Sequence, residues 1–168
     1  RTGKALIDGL SSAVVDAGID IVTNATVERL FALPGGRITG VEVTRPDGTR
    51  ESIGCNALVL ACNGYGGNPE LVRELIPEMV DALYFGHRGN QGHAVAWGRA
   101  LGARLDDLGA YQGHGSVATP YGVLITWAIM MEGGIQLNSH GDRFSNEHQG
   151  YSEQSVAVFN QSEHLAWN

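Results

Sequence analysis

Residues 56–62, Asn-Ala-Leu-Val-Leu-Ala-Cys, form a nearly unbroken apolar run that empties into Asn63-Gly64-Tyr65-Gly66-Gly67 and then Asn68-Pro69. Few folds accept that order. A short strand without polar alternation is buried on both faces, as in the middle of a parallel sheet. Asn68 is a candidate helix N-cap and Pro69 a first-turn proline, so a helix follows the glycine loop. Strand, glycine loop, helix is the half-unit of a doubly wound α/β fold, in which ligands lie at the carboxyl ends of the strands. The loop lacks GxGxxG spacing. From the residues alone, a ligand cradle and a plain strand-to-helix turn both stay open.

The remaining elements read as follows. Leu6, Leu10, Ala13, Val14 and Ala17 repeat at helical spacing and predict a helix over 4–17, stopped by Gly18. Residues 19–31, rich in Ile, Val and Thr, predict a pair of strands, and 38–44 alternate as a strand. Asp47-Gly48 marks a hairpin turn. Leu71, Leu75 and Ile76 give the helix after Pro69 its apolar face. A second glycine loop, Gly89-Asn90-Gln91-Gly92, leads into a helix ending at Gly102. From Asp106 the chain turns polar and turn-rich, which places a domain boundary near Leu105. Beyond it come a short strand at 134–138, a turn at His140-Gly141-Asp142 and a helix over 152–159. The fold class is α/β, mixed with α+β.

Composition narrows the function. Hydrophobic residues make 43% and charged residues 17%, against a usual charged share of about 25%, so the chain has a core and is not disordered. A net charge of −7 with no basic run argues against nucleic acid. There are 24 glycines in 168 residues, about twice the usual share of roughly 7%, which suits tight turns and close backbone approaches. Cys55 and Cys62 are expected to be reduced, buried thiols of a cytoplasmic protein. No stretch reaches the ~20 apolar residues of a membrane span. His140, His148 and His164 lack metal-ligand spacing, so no metal site is expected.

Other residues invite a chemical role. His114 stands between Gly113 and Gly115, where a ligand contact and an idle loop position are both open. His87 and His93 read as structural or surface residues. Arg143, Asn146 and Glu147 can brace one another or cap a solvated turn. Tyr151, at a helix entry after Gly150, is either a proton-transfer group or a packing residue.

Three motifs carry a resemblance that covers nearly the whole chain: NALVLACNGYGGNPEL, GNQGHAVAWGRALGA and GGIQLNSHGDRFSNE. The chain resembles the broad fumarate reductase/succinate dehydrogenase flavoprotein family, which also holds 3-ketosteroid dehydrogenases and tricarballylate-type dehydrogenases. The resemblance implies an FAD-binding Rossmann-like domain with a small β-meander over residues 1–105, then part of a capping, substrate-covering domain over 106–168. It implies an interior piece of a longer chain, beginning after the strand–GxGxxG–helix segment and not expected to retain FAD by itself. Val27 matches the place where the family bonds adenine through the backbone. Ala61, Asn63 and Gly64 match the loop by the pyrophosphate and ribose. Gly89, Asn90 and Gly92 match the loop that approaches the isoalloxazine.

On the substrate side, His114 matches a carboxylate-binding histidine and Thr126 a substrate-binding threonine. Three departures follow. Trp127 stands where fumarate reductases carry an acid, Met130 where they carry an arginine, and Tyr151 where their catalytic arginine lies. Ketosteroid dehydrogenases place a catalytic tyrosine at that last position. The resemblance thus implies Tyr151 as the catalytic proton-transfer residue, with His114, Thr126 and Trp127 at the substrate and Trp127 and Met130 making the cavity apolar. The implied parent oxidises or reduces a C–C bond beside a carbonyl or carboxylate of a small molecule. The alternative is a non-catalytic binding or scaffold module that keeps the fold without flavin. The partners implied are the small-molecule substrate and the remainder of the parent chain.

Overall fold

The computed structural model describes residues 3–167. Two compact units divide them. The first runs through Gly64 and takes in His93–Arg104, and the second holds Tyr65–Gly92 and the chain from Leu105 onward.

The first unit is built on a three-stranded antiparallel meander: β1 (Thr26–Ala32), β2 (Ile38–Thr44) and β3 (Arg50–Gly54), in the order β1-β2-β3. Val41 and Val43, two apart on β2, point to one face and are the strand's buried apolar side chains. Val41 lies opposite Leu30 and Ile53, and Val43 opposite Val27 and Glu51. The Asp47-Gly48 turn closes as the sequence requires. Gly48 takes φ +83, which glycine adopts without strain, and Asp47 Oδ1 accepts the Thr49 N–H at 2.9 Å. Arg45 then clamps Glu51 across the hairpin with two bonds of 2.8 and 2.9 Å. Helices α1 (Gly3–Asp16) and, from the later stretch, α3 (His93–Leu101) complete this unit.

Three expectations fail here. Of residues 19–31 only Thr26–Ala32 forms a strand, so there is no strand pair. Residues 56–62 form no strand, and Val59 is 87% exposed. Residues 19–25 and 56–62 have strand-like composition, but a strand needs partners on its edges, and the doubly buried strand expected at 56–62 also needs layers on both faces; neither segment pairs as a strand among the described residues. Helix α1 forms as read, yet none of its residues is buried, and Leu6, Ile7 and Leu10 stay exposed. The cysteines are free as expected but not buried: Cys55 is half-buried and Cys62 exposed.

The second unit starts with α2 (Pro69–Leu75). Asn68 caps it, its side-chain oxygen accepting the N–H groups of Glu70 and Leu71 at 3.1 and 3.2 Å. After Leu105 come the two-residue strands β4 (Val117–Ala118) and β5 (Val123–Leu124), the single turn α4 (Ala128–Met131) and α5 (Tyr151–Phe159). The strand expected at 134–138 reduces to Leu137, bridged to Arg143 and Trp167. Among the described residues no helix is long and apolar enough to cross a membrane.

Candidate functional site

Tyr151 is the first residue of α5, and its placement depends on the residue before it. Gly150 sits at φ 123, ψ 151, a region open essentially to glycine alone, and a Cβ there would overlap the Glu153 carboxylate. The chain turns sharply into the helix and leaves Tyr151 at its N-terminal end.

Two other rings meet it. The His114 ring lies 5.7 Å from that of Tyr151 and 6.0 Å from Trp127, which it meets edge-on at 83°. Trp127 and Tyr151 are 6.2 Å apart, also edge-on. The structure therefore gathers three of the residues singled out in the sequence into one triangle. Thr126 directly precedes Trp127. Its Oγ1 accepts the Ala128 N–H at 3.4 Å, which leaves the hydroxyl proton free to donate. Met130, however, is 1% exposed, a core residue of the second unit that lines no open surface.

The glycines around His114 now have a cause. A Cβ on Gly113 would overlap the Ser155 side chain. One on Gly115 would come within 3.1–3.2 Å of the backbone of Ser155 and Gln154. The strap 112–116 is thus pressed against α5, the helix that begins with Tyr151. His114 Nδ1 accepts the Ser116 N–H at 3.3 Å, so in the neutral ring the proton sits on Nε2. Burial pushes the His114 imidazole below its ordinary pKa, so it is a neutral donor at pH 7.

Behind the strap runs a buried polar network that the sequence reading missed. Gln136, Glu147 and Gln154 are each 0% exposed, and Ser116 2%. Gln136 Nε2 donates to the Gly115 carbonyl and to Ser116 Oγ, each at 3.2 Å. Gln154 Nε2 donates to Gln136 Oε1 at 2.8 Å, and Gln154 shares bonds of 2.6 and 2.9 Å with Ser145 Oγ. Glu147 accepts the Gln136 N–H at 2.8 Å and two Arg143 nitrogens at 2.5–3.2 Å. Arg143 and Glu147 brace each other as expected. Asn146 instead caps the turn at Glu147–Gln149 through the His148 N–H. The glutamines gave no signal, because these partners lie from 9 to 21 positions away in sequence, beyond the reach of local spacing.

Glu147 makes acid stability testable. Burial pushes its carboxyl up, but the Arg143 fork and the Gln136 N–H outweigh that and hold it below the ordinary value of 4.5. The unfolded chain then binds this proton more readily than the folded one. The ion pair's contribution is complete above the ordinary carboxylate range and is lost as pH falls through the depressed folded value. Thermal melts from pH 7 to pH 3 should show Glu147→Gln losing less stability on acidification than the unaltered protein. Parallel curves would show that Glu147 does not carry the acid sensitivity.

The residues expected at a cofactor are divided between the units. Val27, Ala61, Asn63 and Gly64 belong to the first, and Gly89, Asn90 and Gly92 to the second. Within the second, both glycine segments lock together. The Gly67 N–H donates to the Asn90 carbonyl at 2.9 Å, and Gln91 Nε2 returns a bond of 2.9 Å to the Gly67 carbonyl. Asn90 Nδ2 holds the Tyr84 hydroxyl at 2.7 Å. Gly92, at φ +83, has no room for a Cβ beside Leu71 and Tyr65. Those glycines serve internal packing. Gly64 differs: nothing lies within 4 Å of where its side chain would begin, and Ala61 and Asn63 beside it are exposed. Small residues with open backbone suit a cofactor laid along the chain.

Residues 1–165 match the family model described as "FAD binding domain". The chain is 28% identical over 165 residues to an NADH:fumarate oxidoreductase of Klebsiella pneumoniae (strain 342), covering 98% of this chain and 18% of that protein. A flavocytochrome c3 fumarate reductase in its open conformation superposes with a TM-score of 0.75 at 28% identity, over 96% of this chain and 28% of that one. The 3-ketosteroid-Δ4-(5α)-dehydrogenase of Rhodococcus jostii RHA1, solved with 4-androstene-3,17-dione, shares the fold at a TM-score of 0.67 and 20% identity, over 89% and 29%. The chain thus spans between about a fifth and three tenths of the length of these proteins.

Proposed function

We propose, on the premise that the chain belongs to the FAD binding domain family, that it is a segment of an oxidoreductase acting on a C–C bond beside a ketone carbonyl. The observation that carries this reading is the triangle of His114, Trp127 and Tyr151. Its hydrogen-bonding groups are an imidazole held neutral, a phenol and, next to Trp127, a hydroxyl, and such groups suit a neutral oxygen better than a carboxylate. Trp127 offers an apolar wall to a ring-sized substrate.

FAD, when bound, supplies the hydride acceptor or donor. We assign its binding to Val27, Ala61, Asn63 and Gly64 of the first unit, where the backbone at Gly64 is open. The chain's own residues handle the proton. In dehydrogenation the Tyr151 oxygen, its own proton first passed to solvent, takes the proton from the carbon next to the carbonyl. The Nε2–H of His114 donates to the carbonyl oxygen, where negative charge gathers as that proton leaves. Thr126 orients the same oxygen, and in reduction the proton runs the other way.

Residues 1–105 would be the FAD-domain portion and 106–168 the capping portion. The change of unit between Arg104 and Leu105 supports that line, and Tyr65–Gly92 share a unit with His114, Trp127 and Tyr151. The exposed apolar residues of α1, with Ile19, Ile21, Val22 and Val59, fit packing against the remainder of a longer chain. FAD is therefore assigned to that longer, cytoplasmic protein rather than to this stretch alone.

The test is a substrate comparison on the flavin-loaded full-length enzyme with an artificial electron acceptor or donor. Cyclic ketones and enones should be turned over at least tenfold more efficiently than succinate or fumarate. A preference for the dicarboxylates would overturn the ketone reading.

A further inference from the structure

We propose that Gln112 is a positioning residue for proton transfer: its side-chain amide holds the Tyr151 hydroxyl oxygen and fixes where that hydroxyl's own proton points. The inference rests on Tyr151 being the proton-transfer group. The Gln112 Nε2 donates to the Tyr151 hydroxyl oxygen. A phenol oxygen that accepts a bond on one side keeps its O–H to direct elsewhere. If the residue at this position only accepted, the phenol would turn its proton toward it and withdraw that proton from the substrate.

The backbone explains why Gln112 can hold this role. Gln112 and His114 flank Gly113, which is buried against Ser155 of α5 with no room for a Cβ. One strap therefore delivers both side chains to Tyr151. Gln112 reaches the hydroxyl, and the His114 ring lies 5.7 Å from the phenol ring. The Gly115 carbonyl of the same strap is held at 3.2 Å by the buried Gln136. Gln112 itself is exposed, so replacing it leaves the core intact.

Three variants of the flavin-loaded full-length enzyme test this: Gln112→Leu, Gln112→Glu and Tyr151→Phe. An ionised glutamate only accepts, whereas a protonated one regains an O–H donor. At pH 8 Gln112→Glu should lose kcat by on the order of 10- to 100-fold, with KM within about twofold and flavin content unchanged. Gln112→Leu should lose less. Relative to the unaltered enzyme, Gln112→Glu should then recover kcat by about 2- to 20-fold as pH falls to about 5, toward the carboxyl range, while Gln112→Leu should not. A merely structural role would move both variants together at every pH, and that result, or full kcat in both, would overturn the inference. If Tyr151→Phe loses turnover while the Gln112 variants do not, only the role of Gln112 falls. If Tyr151→Phe keeps full turnover, the proton-transfer reading falls and takes this inference with it.

Discussion

Tyr151→Phe is expected to lower kcat of the flavin-loaded full-length enzyme by about 10²- to 10⁴-fold, the range contributed by a positioned general acid or base. The change removes one oxygen and little else. The ring would still pack 5.7 Å from His114 and 6.2 Å from Trp127, so the substrate wall survives. Gln112 loses its partner, but it is exposed and water can take the bond. KM should therefore change little, and a loss confined to kcat marks an interaction made mainly in the transition state. Steady-state kinetics on a cyclic ketone, with the flavin absorbance of each preparation as a loading control, give the answer. Full turnover in Tyr151→Phe would return Tyr151 to the role of a packing residue.

Local chemistry was legible in the sequence where a residue's partners are near neighbours. The Asp47-Gly48 turn, the Asn68 cap, the start of α3 and the Arg143–Glu147 pair all close within a few positions, and each formed as read. The strand at 56–62 failed for the opposite reason. Its composition states what kind of neighbour it wants, and a strand's existence depends on neighbours supplied from elsewhere. The triangle of His114, Trp127 and Tyr151 lies between. His114 and Tyr151 stood out among the residues themselves and Trp127 through family resemblance, but that the three rings meet follows from a strap folded onto α5, which spacing alone does not reveal. Gln136 and Gln154 were invisible because a glutamine reads as a surface residue until its partners are known.

Gln154→Leu is expected to be the most destabilising conservative change in the second unit. Gln154 is 0% exposed and joins Gln136 to Ser145. Leucine fills similar space but removes the 2.8 Å bond to Gln136 Oε1 and the bonds of 2.6 and 2.9 Å to Ser145 Oγ. Each buried polar group left without a partner costs about 1–3 kcal/mol. The loss should reach function as well, since Gln136 also holds the Gly115 carbonyl and Ser116 on either side of the strap's bend. A loosened strap misplaces His114, so KM for a ketone should rise even at temperatures where the variant stays folded. Removing both glutamines tests whether the network acts as a unit. With Gln136→Leu already made, Gln154→Leu no longer breaks the bond the two glutamines share, so the double variant should cost less than the two single changes added together. Thermal melts of the two single variants and the double one measure that difference. Strict additivity would mean that Gln136 and Gln154 stabilise the fold independently, and that the strap is not held through their contact.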